Sequence, residues 1–313
     1  MAHTYYIRIL EEITPIELRG TSTKRTLVVS RPTITVREAL ETMATHNITS
    51  LPIYSHDSDK IVTIVNLIDV LNYVIKEAVS DEKLPTRLDS EKSKNLDYQI
   101  EVVMTLDSEK ESYRIFETDA NECLKTTLEA FSKGIHRSLV IDYTNKVEPY
   151  ILTQSDIIRY VSEHPECLPS VDFDSSLKSL GLTEKERDVV LGHDKEMALK
   201  VYIRMAENKL TGIPIVDSEN KLVGNLSLSD LRGLSYKSID CLVNPVLDFL
   251  AKIPNRKNGL IPISLTEDSS LKETLKLITD KHIHRVWIVD EEHKVQNVVT
   301  LTDLIVVFLK HLA

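Results

Sequence analysis

The chain has 313 residues, 42% of them hydrophobic, and a formal net charge of −10. That length holds two ordinary domains or one larger unit with a sizeable core. The acidic balance argues against a general nucleic-acid binder, whose affinity comes from clustered Lys and Arg on phosphates, and leaves room for a small local basic site.

The N-terminal "MAHTYYIRILEEITPIEL" has no signal-peptide apolar block. Its "TYYIRIL" stretch reads as a strand that could join a partner's sheet. Thr35 and Glu38 then form a capping box ahead of a helix carrying Ala39, Leu40 and Met43. "HNITSLPIY" and "IVNLIDVL" follow, as a strand, a turn, a second strand and a return to helix at "DVLNYVIKEAV". Val79 to Gln99 is a polar insertion in which "SEKSKNLD" reads as a solvated loop. "KGIHRSLVID" and "ILTQSDII" repeat the pattern, and a Pro- and Asp-containing joint begins at Ser162. A weakly capped helix, "KEMALKVYIRMAENKL", leads to "NKLTGIPIVD" and "NLSLSDLR", and then to the shortest helix, "DLRGLSYKSI". The last copy opens on "SLKETLKLITDKHI", where Ser270 and Glu273 make an S-x-x-E box and Leu271, Leu275 and Ile278 share one face. It continues through "HIHRVWIVD" and "VTLTDLIV"; Trp287 reads as core or interface. "LIVVFL" near the end is far short of a membrane span.

Four copies with the same punctuation are an internal repeat, which decides the fold argument. Asp69, Asp156, Asp230 and Asp303 stand at the same place in each. Thr49 and His136 lie 20 residues before their Asp, Thr211 and His284 19 residues before theirs. Each unit reads helix, strand, turn, strand, helix, with too few strands to bury both faces alone. Consecutive units therefore pair into two modules of two. The boundaries run 1–24 for an N-terminal extension, 25–80 for the first repeat, 81–98 for the insertion, and 99–165, 166–238 and 239–313 for the other three repeats. The fold class is mixed α/β (α+β).

A carboxylate can accept both hydroxyls of a ribose, and helix N-termini offer N–H groups to anions. Arg presents a fork matched to phosphate, and His adds a donor sensitive to pH. For each Asp alone, an ordinary N-cap is an equally good reading, and for His284–Arg285 a solvated turn is the plain alternative. His46, His56, His193, His293 and His311 are scattered and read as structural. With only 8 Gly and no Gly-rich phosphate loop, nucleophile elbow or H-E-x-x-H, the chain does not read as an enzyme. Cys123, Cys167 and Cys241 form no metal pattern and suit a reducing compartment, so cytoplasm or nucleus is expected, with no membrane and no nucleic-acid partner.

These repeats resemble cystathionine-β-synthase (CBS) domains, and a pair of them resembles a Bateman module. "HIHRVWIVD" with "VVTLTDLI" is similar to the last repeat of the γ regulatory subunits of AMP-activated protein kinase, while "KLVGNLSLSDLRGL" and "NPVLDFL" look like plant and fungal four-CBS relatives. The resemblance covers about Arg25 to Ala313. It implies four CBS domains paired into two Bateman modules forming a disk. It also implies a non-catalytic subunit with AMP, ADP or ATP as regulatory ligands and no catalytic cofactor or metal. The implied partners are kinase α and β subunits of an AMPK/SNF-type kinase. By the same resemblance the ribose residues are Asp69, Asp156, Asp230 and Asp303, and the phosphate residues are His136, Arg137, His284 and Arg285. Supporting hydroxyls are Thr153, Ser227 and Thr300, with Ser155, Ser229 and Thr302 beside the Asp. Thr49, Thr211, Asn66, Ile68 and Asp156 depart from the family pattern. Thr49, Asn66 and Ile68 favour a second reading, a stand-alone four-CBS adaptor of a phosphatase or kinase without nucleotide sensing. A third, binding of S-adenosylmethionine, leaves the His-Arg pairs without phosphates to hold.

Overall fold

The computed structural model describes residues 8–19, 27–78, 94–105, 115–144, 146–184, 188–232, 239–253 and 260–312. Each repeat is built on an antiparallel hairpin: β1 (Ser50–Tyr54) with β2 (Ile61–Asn66), β4 (Arg137–Ile141) with β5 (Tyr150–Thr153), β7 (Gly212–Val216) with β8 (Leu222–Ser227), and β10 (Arg285–Val289) with β11 (Val295–Thr300). Three hairpins carry a short parallel strand: β3 (Glu117–Asp119) on β4, β6 (Gly192–His193) on β7 and β9 (Ser264–Leu265) on β10. In the first repeat a single bridge from Ser30 to Ile53 takes that place. The sequence reading had missed these strands, because two or three residues are too few to show alternation. The strand β6 lies so close to its neighbours that a Cβ on Gly192 would come within 2.8 Å of Ile215 and 2.9 Å of Val201.

A helix precedes each hairpin: α2 (Val36–His46), α5 (Lys125–Ser132), α7 (Ala198–Glu207) and α9 (Leu271–Lys281). A second follows three of them directly: α3 (Leu67–Ala78), α6 (Gln154–Glu163) and α10 (Leu301–Lys310). After the third hairpin the described chain forms a 3-10 turn, Leu228–Leu231, in place of the expected helix; residues 233–238 lie outside the described residues. The box at Thr35 is complete, with Glu38 N donating to Thr35 Oγ1 at 3.1 Å and Thr35 N donating to Glu38 Oε2 at 2.8 Å. At Ser270 the forward bond from Glu273 N forms at 3.1 Å. As expected, α7 has no side-chain cap; Ala198 N donates instead to the Asn244 carbonyl at 2.9 Å.

The chain forms two compact units, Val28–Ile115 with Val190–Pro262, and Met1–Leu27 with Phe116–Val189 and Ile263–Ala313. In the former, Leu40, Met43 and Leu51 of the first repeat share one core with Tyr202, Met205 and Ile213 of the third. In the latter, Leu128, Phe131 and Leu152 of the second share one with Leu275, Ile278 and Phe308 of the fourth. The helical cores thus join alternate repeats, where the sequence reading joined consecutive ones. The cause is helix packing: α3 lies on α7, and α10 lies on α5 and α6. Long connections let each apolar helix face find that partner.

Within each unit, every repeat is completed by a short segment from elsewhere in the chain. The 3-10 turn Leu10–Glu12 and α1 (Pro15–Arg19) dock on the second repeat, where Leu124 N donates to the Ile13 carbonyl at 2.9 Å and Ile16 N to the Ala120 carbonyl at 3.2 Å. The turn Lys94–Asp97 and α4 (Glu101–Thr105) dock on the first repeat through Val36 N to the Tyr98 carbonyl, 2.9 Å, and Ile100 N to the Ile34 carbonyl, 2.7 Å. Residues 165–182 dock on the fourth repeat, with Leu177 N on the Ser269 carbonyl at 2.9 Å and Leu271 N on the Ser175 carbonyl at 3.0 Å. The turn Ile239–Val243 and α8 (Val246–Lys252) dock on the third, with Val246 N on the Glu196 carbonyl at 2.7 Å. Each arm buries apolar side chains there: Leu10 and Ile13, Leu96 and Ile100, Leu168 and Leu177, Leu242 and Phe249.

This moves several sequence boundaries. Residues 10–19 are core of the second repeat and not a separate extension. Residues 99–105 complete the first repeat, 166–182 the fourth and 239–252 the third. Within "SEKSKNLD", Leu96 is fully buried, so the segment is not wholly solvated; residues 79–93 lie outside the described residues, as do Thr4–Ile7 of the proposed N-terminal strand. Trp287 is buried, as the sequence reading held.

One ion pair anchors the third repeat. Arg204 meets Glu196 with both guanidinium nitrogens, at 2.7 and 2.9 Å, and His193 N adds a bond at 2.9 Å. The Arg204 bond, ahead of the other causes, holds the Glu196 carboxyl down at about 2, against an ordinary 4.5. A lowered carboxyl stabilises the fold above 4.5 and loses that contribution as pH falls toward its folded value. Glu196→Gln is expected to cost about 1.5–3 kcal/mol at neutral pH and to flatten the pH dependence of stability between 4.5 and 2. Urea denaturation of parent and variant across that range measures both effects.

Candidate functional site

All four hairpins end on the same backbone pattern. The first residue of each leading strand lies opposite the last of its partner: Ser50 and Asn66, Arg137 and Thr153, Gly212 and Ser227, Arg285 and Thr300. The residue before the strand accepts, through its carbonyl, from the first residue of the following helix or turn. These bonds are Leu67 N to Thr49 at 3.0 Å, Gln154 N to His136 at 3.2 Å, Leu228 N to Thr211 at 3.1 Å and Leu301 N to His284 at 3.3 Å. Residues 19 or 20 apart in sequence are thereby brought to one end of one hairpin. In the second and fourth repeats the His-Arg pair shares that end with the Asp; in the first and third, Thr49 and Thr211 take the place of the His.

The Asp residues are not N-caps. The cap position belongs to Thr153, Ser227 and Thr300, three residues earlier, and the Asp is the third helical residue, which reaches back. Thr300 N donates to Asp303 Oδ2 at 2.8 Å and Thr300 Oγ1 to the same oxygen at 2.6 Å. Thr153 makes the same two bonds to Asp156 Oδ2, both at 2.8 Å. Ser227 N donates to Asp230 Oδ2 at 2.8 Å, and Asn66 N and Nδ2 donate to Asp69 Oδ2 at 2.8 and 3.2 Å. The T/S/N-x-x-D spacing could have revealed this, since it is a shortened capping box. The hydroxyls expected to line a cleft are therefore engaged in capping. Ser229 Oγ lies 2.9 Å from Ser227 Oγ, and Thr302 Oγ1 accepts from the buried Gln154 Nε2 at 2.8 Å. Ser155 is half-buried beside Asp156. The Gln154 bond brings the N-termini of α6 and α10 together, which sequence reasoning missed.

The compact units sort the charges. Both His-Arg pairs, His136–Arg137 and His284–Arg285, fall in the unit of the second and fourth repeats. His136 is open at the surface yet has protein mass packed around it. That desolvation, then the guanidiniums of Arg137 and Arg285, push its pKa below the ordinary 6.5. Asp69 and Asp230 fall in the other unit, with Thr49, Thr211 and Ile68. Sequence reasoning overlooked a cation there: Arg232, two residues past Asp230, is half-buried with Nε enclosed. Burial lowers its pKa, and Asp230 opposes that shift.

Sequence reasoning also overlooked Arg159, whose Nη2 donates to Asp156 Oδ1 at 2.8 Å. Of the scattered histidines, His56 pairs with Glu101 at 3.0 Å. Among the described residues no group of three His, Cys, Asp or Glu is placed to hold a metal, and no helix is long and apolar enough to cross a membrane.

The model of the CBS domain family matches residues 23–76, 187–237 and 260–310. The chain is a CBS-repeat protein. Its second repeat, β3, α5, β4, β5 and α6, has the same element order as the fourth, β9, α9, β10, β11 and α10. It is 25% identical over 296 residues to Protein SDS23 of Eremothecium gossypii, an alignment covering 88% of this chain and 59% of that protein. It is 22% identical over 334 residues to the SNF1-related protein kinase regulatory subunit gamma-like PV42a of Arabidopsis thaliana, covering 90% of this chain and 91% of that one. Among solved structures, Protein MJ1225 of Methanocaldococcus jannaschii, a proposed archaeal homologue of γ-AMPK, superposes with TM-score 0.66 at 19% identity, covering 96% of this chain and all of that one. At that identity the likeness concerns the fold. The mixed α/β class and the γ-like CBS architecture expected from sequence are both met.

A histidine whose folded pKa is depressed resists protonation, so the unfolded state binds more protons below 6.5 and the fold loses stability as pH falls through that value. His136→Gln should therefore lose less stability than the parent between pH 7.5 and 5.5. Thermal melts at the two pH values decide this, and equal losses in both proteins would refute it.

Proposed function

We propose that this CBS-repeat protein is a non-catalytic regulatory subunit. It would bind an adenine nucleotide, with the phosphates held by the unit of the second and fourth repeats. The observation that carries this reading is the convergence of both His-Arg pairs in one compact unit, with His136 in the field of Arg285. Cations grouped this way repel one another, and a bound anion relieves that repulsion. The Asp303 carboxylate, fixed at the same hairpin end by its cap bonds, is the ribose acceptor; Asp230 and Asp69 serve the other unit. AMP, ADP and ATP are the ligands this chemistry fits.

The target of regulation is a protein kinase of the AMPK/SNF type, bound through its α and β subunits. The γ-like name of the Arabidopsis relative supports this. The mechanism is linkage: a nucleotide changes kinase output in so far as its affinity differs between two states of the subunit.

Calorimetric titration of the chain with AMP, ADP, ATP and S-adenosylmethionine tests the binding. AMP should bind, and Arg285→Ala and Asp303→Asn should each weaken it roughly ten- to a hundredfold, the loss of one charge-assisted bond. The absence of any nucleotide binding would leave the second reading, a four-CBS adaptor of a phosphatase or kinase that does not sense nucleotide. Thr49, Thr211 and Asn66 favour that reading, as none supplies a cation at a hairpin end.

A further inference from the structure

The residue that follows the end of each hairpin is Leu67, Gln154, Leu228 and Leu301 in the four repeats. The three leucines serve the apolar cores: Leu67 and Leu301 are buried in them, and Leu228 packs against one. Gln154 is as buried as they are, at 4% exposed, yet carries an amide. A buried amide costs the fold unless its hydrogens are bonded. Here both are: Nε2 donates to the Phe131 carbonyl at 2.9 Å and to Thr302 Oγ1 at 2.8 Å. Phe131 belongs to α5 of the same repeat, and Thr302 to the first turn of α10 in the fourth. The amide is thus satisfied by helices of the second and fourth repeats lying on one another.

We infer that Gln154 and Thr302 select which repeats pack their helices together. Four repeats with similar apolar helix faces could pair in several ways, and one polar residue at a buried position can single out a partner. The shared frame shows what the other pairings offer. At the place of Thr302 stand Ile68 in the first repeat and Ser229 in the third. Set on the first repeat, Gln154 would meet Ile68, which accepts no hydrogen bond, and its amide would be stranded. Set on the third, it would have to share Ser229, whose Oγ already lies 2.9 Å from Ser227 Oγ. A fourth repeat set on the third would turn Thr302 toward Leu228. The two polar residues therefore suit each other and suit the consecutive neighbours poorly, which is specificity obtained by penalising the wrong partner. The consequence reaches the candidate site, because this pairing gathers His136–Arg137 and His284–Arg285 in one unit. The inference holds whichever ligand those cations take.

Refolding of the full chain from urea tests this on the parent, Gln154→Leu, Gln154→Met, Thr302→Val and the double variant Gln154→Leu/Thr302→Val. Size-exclusion chromatography and the indole N–H signal of Trp287, the chain's single Trp, count the arrangements formed. The parent should refold to one species with one indole signal. Gln154→Leu and Gln154→Met should keep the parent's urea midpoint or exceed it, yet refold to more than one species. These would show as further indole signals or as larger assemblies that exchange repeats. Met, closer to Gln in shape, decides the matter if Leu does not fit. Thr302→Val strands the amide and should lower the midpoint. Removing Gln154 as well should restore it, a recovery that lost packing at position 302 would not give. A single species in both Gln154 variants would overturn the proposal, as would several species in the parent. So would an unchanged midpoint in Thr302→Val, or a double variant as weak as Thr302→Val.

Discussion

A carboxylate one turn into a helix, bonded back to the residue that starts the helix, is the interaction on which each repeat depends. In all four repeats one oxygen of the Asp takes the backbone N–H of residue 66, 153, 227 or 300 at 2.8 Å. That residue is also the last of its strand, so the hairpin and the following helix or turn cannot swing apart. The carbonyl of the residue before the leading strand fastens the other side. Both fastenings use backbone on at least one side, so the side chain at the hairpin mouth is free to vary at little cost to the fold. Thr49, His136, Thr211 and His284 occupy that one position in a shared frame. The hairpin ends differ in chemistry because the frame does not depend on it.

The packing of alternate repeats then decides which chemistries meet. The unit of the second and fourth repeats holds both His-Arg pairs, with Arg285 acting on His136, while the unit of the first and third holds Thr49, Thr211 and Arg232. Grouped cations raise the local potential for an anion far more than the same charges spread around the surface of a chain that is acidic overall. The lowered pKa of His136 reflects its desolvation first and the neighbouring Arg137 and Arg285 second.

Much of this was legible in the sequence because it is periodic. Four Asp residues in step fixed the number of repeats, and the placement of the two His-Arg pairs at hairpin ends followed from spacing alone. The element order was readable wherever apolar faces ran for several turns. What escaped had no period. The parallel strands are two or three residues long, and the arms are short apolar patches such as Leu96 and Ile100 that resemble loop sequence until the surface that receives them is known. The pairing of alternate repeats escaped because amphipathic helices announce that they need a partner and not which one. Arg159 escaped because an Asp and an Arg three residues apart on a helix are commonplace.

The exchanged arms set an order of events during synthesis. The arm at residues 10–19 is synthesised before the residues around Ala120 and Leu124 on which it docks. The core that includes it closes only when Leu304 and Phe308 arrive. The core of the first repeat likewise waits for Tyr202 and Phe249. Nascent chain therefore carries unmatched apolar surface through most of translation, and contacts this distant in sequence form slowly. A protein assembled in this way gives chaperones a long interval in which to bind it, and leaves no stage at which a single repeat stands finished.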